Sequence, residues 1–233
     1  MINIRATQDV WLSECLGVSC FGTNLNGPTP VADIIAQKDA VFITAKTSPQ
    51  DAQQERQLTA CGFVKINTQL TFKWSVGTGP RQPKPQKTHF TASPAQDSSA
   101  DLAPFAPLFA TDRFHSDPRL PRDWSVRIKT QWLTAPDLGK QVVMAHIGSD
   151  IAGFVLIQPR PTQTVIDLIA VSPAHQGKSV GLGLLAYLQK AICKDQGIVV
   201  GTQHDNLAAQ RLYTAAGFKC VETKHVYHFY REG

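Results

Sequence analysis

The chain has 233 residues, 42% of them apolar and 18% charged, with a net charge of +5. That length suits two small domains, the apolar content supports a buried core, and intrinsic disorder is not the expectation. No apolar run approaches the ~18 residues of a membrane span, and the N-terminus lacks a basic stretch followed by an apolar one, so neither a membrane span nor a secretory leader is expected. The five cysteines (Cys15, Cys20, Cys61, Cys193 and Cys220) include no CxxC pair and have no histidine cluster beside them, which argues against zinc and a disulfide framework and for a reducing cytoplasm. The positive charge suits an anionic small ligand, but it forms no Lys/Arg block, so no nucleic-acid partner is expected.

In chain order, residues 40–45 read as a strand and Ser48-Pro49 as a helix start. A helix then stops at Gly62 and enters a strand-like run to Trp74. Glycines and prolines crowd the stretch from Val76 to Pro104, which reads as a linker at 77–86 between a domain at 1–76 and a second at 87–233. In the second domain, 87–91 is a candidate short strand, and 98–110 and 124–133 read as helices. Strands are expected at 142–147, 151–158 and 165–171, the last almost continuously apolar, as a buried central strand should be. A helix with apolar residues every fourth position is expected over 180–194, then a strand at 198–202, a helix at 206–216 stopped by Gly217, and strands at 218–222 and 226–230.

The unit Thr59-Ala60-Cys61-Gly62-Phe63 parallels Thr214-Ala215-Ala216-Gly217-Phe218, and each follows a helix and precedes a strand run. Residues 1–75 therefore read as a partial copy of the C-terminal half of the second domain.

Chemistry concentrates between the strand ending at Val171 and the helix at 180, in Ser172-Pro-Ala-His-Gln-Gly-Lys-Ser-Val-Gly-Leu-Gly183. Glycines there let backbone approach a ligand, and a helix start presents unpaired amides and a positive dipole end, which together make a pyrophosphate cradle. A dinucleotide fold would place an acid about 20 residues on, at the next strand. Residues 198–202 hold none.

Gln176-Gly177-Lys178-Ser179-Val180-Gly181 resembles the acetyl-CoA signature of the GNAT acetyltransferases, which reads Arg or Gln, two variable residues, Gly, one variable residue, then Gly or Ala. Ser179 stands where the first Gly is usual. The resemblance implies an α/β (α+β) GNAT fold: a central mixed, mostly antiparallel sheet flanked by helices, with a smaller partial GNAT-like domain ahead of it. It implies acetyl-CoA as cosubstrate and no metal. It places the pyrophosphate on Gln176, Gly177, Lys178, Ser179, Val180 and Gly181, and the pantetheine along Leu168, Ile169 and Val171, with a backbone N–H near Leu168 or Ile169 polarising the acyl carbonyl. It also implies that Asn206 contacts CoA and that Tyr213, two turns later, is the general acid. The partial copy has Leu58 where Tyr213 stands and carries no phosphate loop. The family's usual acid on the strand before the loop is replaced by Val165; Asp167, two residues on, is the candidate base, with His204 and Asp205 as fallbacks.

The two-part layout further resembles acetyltransferases of nucleotide-linked aminosugars. Local matches are Trp11 to Phe21, Arg113-Phe114, Gln131-Trp132 and the stretch from Thr202 to Tyr213. Residues 109–132 carry several arginines and aromatics, from which Arg113, Phe114 and Arg122 are the candidate acceptor-binding residues, since guanidinium pairs bidentately with phosphate. A small-molecule amine, a nucleotide sugar, is then the expected acceptor. A protein amine or other small amine, a non-catalytic acyl-CoA-binding role and a homodimer all stay open.

Overall fold

The computed structural model describes residues 4–24, 26–37, 39–78, 88–109, 112–134 and 139–233. The strands and helices, in chain order, are β1 (Arg5–Gln8), α1 (Val10–Leu16), β2 (Ser19–Thr23), β3 (Thr29–Pro30), α2 (Val31–Ala36), β4 (Val41–Thr47), α3 (Ala52–Ala60) and β5 (Val64–Trp74). They continue with β6 (His89–Pro94), α4 (Ser99–Leu102), α5 (Trp124–Thr134), β7 (Gln141–Ile147), β8 (Asp150–Pro159), β9 (Gln163–Val171), α6 (Val180–Tyr187), β10 (Gly197–Gln203), α7 (Leu207–Ala215) and β11 (Lys219–Arg231).

The chain forms two compact units, neither continuous in sequence. Unit 1 is 1–69, 110–128 and 223–233; unit 2 is 70–109 and 129–222. The linker expected at 77–86 falls largely on residues outside the described set. Unit 1 has the strand order β3-β1-β2-β4-β11, with β4 and β11 antiparallel from His225↔Thr47 to Arg231↔Val41. One face of this sheet carries Ile43, Ala45, Tyr227 and the α3 residue Leu58; the other carries Cys20, Phe42, Phe114 and Trp124.

A buried polar group ties the segment after residue 112 to unit 1. Asp117 accepts Nε and Nη2 of Arg119 at 2.9 and 2.7 Å and meets His228 Nδ1 at 3.0 Å. Both Asp117 and His228 side chains are fully buried. Burial pushes the His228 imidazole down to about 4, against the hydrogen bond to Asp117, so the ring is neutral at pH 7. Burial alone would raise the Asp117 carboxyl, but the hydrogen bonds from His228 and Arg119 outweigh it and hold it well below the usual range.

Unit 2 has the order β5-β10-β9-β8-β7-β6. β6, β7, β8 and β9 pair antiparallel, while β9 and β10 are parallel, as the α6 crossover requires. Val143, Val155, Ile157, Ile166 and Val200 face α6 and α7. Val142, Met144, Phe154, Leu156, Leu168 and Ala170 face Leu102, Phe105 and Leu133 on the opposite side.

Three elements differ from the sequence expectation. The helix expected at 98–110 is one α turn, α4, flanked by 3₁₀ turns Ala95–Ser98 and Ala103–Leu108, because Pro104 and Pro107 cannot donate helical bonds. The helix expected at 180–194 is α up to Tyr187 and then a π turn, Leu188–Ile192. The last two strands are one, β11.

The two helix–Gly–strand units share their local geometry. Asp51 caps α3 by accepting from Gln54 N–H at 2.9 Å, and Asn206 caps α7 by accepting from Ala209 N–H at 3.1 Å. The helices end alike: Phe63 N–H donates to Leu58 O at 3.0 Å and Phe218 N–H to Tyr213 O at 2.9 Å, with Gly62 and Gly217 at φ 85° and 84°. The strand after each helix divides between the units: β5 begins in unit 1 and ends in unit 2, and β11 begins in unit 2 and ends in unit 1.

Candidate active site

β9 is the axis of the site. Its parallel pairing with β10 runs from Gly197↔Gln163 to Val200↔Ile166 and goes no further, while pairing with β8 continues to Val171↔Gly153. Residues 167–171 therefore leave β10 and open a gap between the strands.

At that point β9 also bulges. Leu156 pairs with Leu168 and Ile157 with Ile166, which leaves Asp167 as the extra residue. The bulge switches the side-chain phase: Ile166 packs toward α6, yet Leu168 and Ala170 pack on the other face. Asp167 turns to that second face, where its Oδ2 lies 3.0 Å from Nζ of Lys140. The Lys140 and Asp167 side chains are 6% and 18% exposed. The ammonium also lies 5.8 Å from the ring of Trp132, whose face carries Nζ of Lys129 at 4.5 Å.

After β9 the loop turns through the 3₁₀ segment Pro173–His175, and Gln176 Nε2 donates back to the Val171 carbonyl at 3.2 Å. Gly177 and Ser179 both take left-handed φ, 73° and 61°. Gly177 is free to do so; Ser179, as a non-glycine, pays about 1 kcal/mol for it. The first bond of α6 is Gly183 N–H to Ser179 O at 2.9 Å, so the amides of Val180, Gly181 and Leu182 have no intrahelical partner. Gln176, Gly177, Lys178 and Ser179 are exposed around those amides. Exposed amides, a helix dipole and one lysine fit a pyrophosphate. Gly181 has a packing reason: a Cβ there would sit 3.2 Å from Leu212 Cδ2 and 3.5 Å from Val171 Cγ2.

Tyr213 lies on α7, 3% exposed, with Phe72 and Phe218 ring centroids 5.6 and 5.9 Å away. Burial pushes its phenol well above the ordinary value near 10. No hydrogen bond to its hydroxyl occurs among the described residues. The Asn206 carbonyl oxygen is taken up by its own helix, which leaves its amide for a ligand. His204 and Asp205 are exposed in the turn before α7.

Leu168, Ile169, Val171, the loop, Asp167, Asn206 and Tyr213 all belong to unit 2. Arg113, Phe114 and Arg122 belong to unit 1. Phe114 is a core residue, 7% exposed. The Arg113 guanidinium stacks over Phe114 at 4.7 Å, and burial lowers its pKa. Of the three, only Arg122 is exposed. Lys140 and the bulge escaped the sequence reading. Apolar residues on both faces of 165–171 leave no alternation from which a phase change could be read.

Comparison with known proteins places this geometry. Residues 106–218 match the acetyltransferase (GNAT) family. The spore coat polysaccharide biosynthesis protein SpsD of Bacillus subtilis is 30% identical over 152 residues, which are 64% of this chain and 49% of that protein. The chain thus spans about half the length of the curated relative it matches. Among solved structures, a conserved protein of unknown function from Staphylococcus epidermidis superposes with a TM-score of 0.69 at 13% identity, covering 96% of this chain and 90% of that one. A GCN5-related N-acetyltransferase from Kribbella flavida superposes with a TM-score of 0.61 at 12% identity, covering 94% and 82%. Among the described residues no cluster could hold a metal ion, and no helix is long and apolar enough to cross a membrane. Residues 106–218, just under half of the chain, thus carry a GNAT-family acetyltransferase domain.

Proposed function

We propose that the protein transfers the acetyl group of acetyl-CoA to the amine of a nucleotide-linked amino-deoxysugar, by direct attack in a ternary complex. The observation that carries the transfer is the divergence of β9 from β10 at Ile166, directly ahead of a loop of unpaired helix amides. The similarity to a Bacillus subtilis protein of spore coat polysaccharide biosynthesis supports a sugar acceptor.

Acetyl-CoA supplies the acyl group already activated as a thioester. The amides of residues 177–181 and Lys178 hold its pyrophosphate, the Asn206 amide assists, and the strand edge at Leu168, Ile169 and Val171 pairs with the pantetheine arm. A backbone N–H at Leu168 or Ile169 polarises the carbonyl. The acceptor arrives as an ammonium and loses one proton to water by way of Asp167. Its nitrogen then bonds to the acyl carbon and the C–S bond breaks; the amide nitrogen gives up a second proton while the sulfur gains one. Tyr213 serves the sulfur. Its raised pKa makes full transfer to a thiolate near ~8.5 uphill, so its first contribution is a hydrogen bond to the departing sulfur.

A protein or simple amine as acceptor is the alternative that the assay separates from this reading. Thiol release from acetyl-CoA is measured with one 4-amino-4,6-dideoxysugar, free and as its dTDP form. A preference of tenfold or more for the nucleotide form is expected. Equal rates, or a peptide amine that outcompetes both, would overturn the acceptor.

A further inference from the structure

We propose that Lys140 is a positioning residue for acyl transfer. It clamps one oxygen of Asp167 and leaves the other to meet the acceptor amine. This rests on the transfer reaction proposed above and adds a residue to it.

Lysine and aspartate are almost never this buried unless they are paired, and an apolar pair of similar volume would serve stability at least as well. The position of this pair is therefore informative. Asp167 is the bulge residue of β9, one position beyond the last pair with β10. It stands where the strand edge becomes free for the acyl arm.

Lys140 is fixed from three sides. Its carbonyl accepts the Ala95 N–H at 3.1 Å, its ammonium lies 5.8 Å from the Trp132 ring, and its Nζ meets Asp167 Oδ2 at 3.0 Å. Oδ2 is buried and meets the Lys140 ammonium as an ion pair without hydrogen-bond alignment, whereas the side chain as a whole keeps 18% of its surface exposed, so Oδ1 is the oxygen that can face a ligand. A carboxylate held by one oxygen has a fixed rotamer and a fixed direction for the other. Oδ1 then accepts a hydrogen bond from the acceptor nitrogen and aims its lone pair at the acyl carbon. The ammonium of Lys140 cancels the charge of Asp167, so the acceptor is held by direction more than by attraction.

The test is a double-mutant cycle on Lys140→Met and Asp167→Asn, with Lys140→Arg as the conservative variant. kcat and KM are measured for the dTDP-aminosugar at saturating acetyl-CoA, and melting temperature is recorded for each protein. Each single variant is expected to lower kcat/KM for the amine by about 10–100-fold, to leave acetyl-CoA affinity within about threefold, and to combine with the other without further loss. Lys140→Arg should recover most of the rate. Independent multiplicative losses, or unchanged amine kinetics in Lys140→Met, would overturn the proposal.

If the nucleotide sugar is not an acceptor, the same cycle is run with whichever simple primary amine raises thiol release above hydrolysis. That outcome counts against the acceptor and leaves Lys140 to be judged on its own. A readout without turnover covers an unreactive or poorly folded variant. In the wild-type protein, ¹⁵N NMR should show a slowly exchanging Lys140 ammonium that Asp167→Asn removes. Absence of that resonance in the wild type would also overturn the clamp.

Discussion

At the scale of single residues, two buried titratable groups lie in different units and act differently. Tyr213 is buried among aromatics with no hydrogen-bonding neighbour for its hydroxyl, a state in which it can only remain a neutral phenol. His228 is buried beside Asp117 and held neutral, down to about 4. Its depressed pKa means that the unfolded chain binds more protons between pH 6.5 and about 4. Stability therefore falls as pH drops through that window, by about 3 kcal/mol for this group. Asp117 adds a loss in the same direction at lower pH. Urea midpoints at pH 7 and pH 4.5 check this, and His228→Phe should flatten the slope even where it costs stability. Neither His228 nor its carboxylate was legible in the sequence, because the partners lie far apart along the chain and only the fold joins them. Tyr213 entered the reading through the resemblance of residues 206–218 to the last helix of the GNAT family.

At the scale of elements, the turn at Gly177 and the helix stops were readable because glycine has a local backbone reason there. Gly62 and Gly217 sit at φ 85° and 84°, so alanine at either position should cost about 1–2 kcal/mol of stability, measured by denaturant midpoint. Ser179 carries the same left-handed strain without a glycine's freedom. Ser179→Gly should therefore gain up to about 1 kcal/mol, reduced by the extra entropy of the unfolded chain, and should leave CoA binding intact. A lower melting temperature in that variant would contradict the loop geometry. The bulge at Asp167 was not readable. A bulge shows in sequence only where burial alternates, and both faces of β9 are covered.

At the scale of the whole molecule, the sequence paired two helix–Gly–strand units but did not reveal the exchange of their strands between the two units. Local signals mark where a helix ends and a strand begins; they do not say which sheet the strand completes. Unit 2's core includes Leu70, Phe72 and Trp74 from the end of β5, which precede the expected boundary. A fragment of residues 87–233 lacks all three and should unfold without a cooperative transition, whereas the full chain should melt cooperatively; a sharp transition in the fragment would argue against the exchange. The central claim concerns chemistry in unit 2, and Tyr213→Phe tests it most directly, since the ring stays and only the hydroxyl is lost. With acetyl-CoA and amine saturating, kcat for thiol release should fall by ~10²–10⁴ while the Kd for CoA stays unchanged. Turnover equal to wild type would contradict the account and leave Tyr213 a core aromatic.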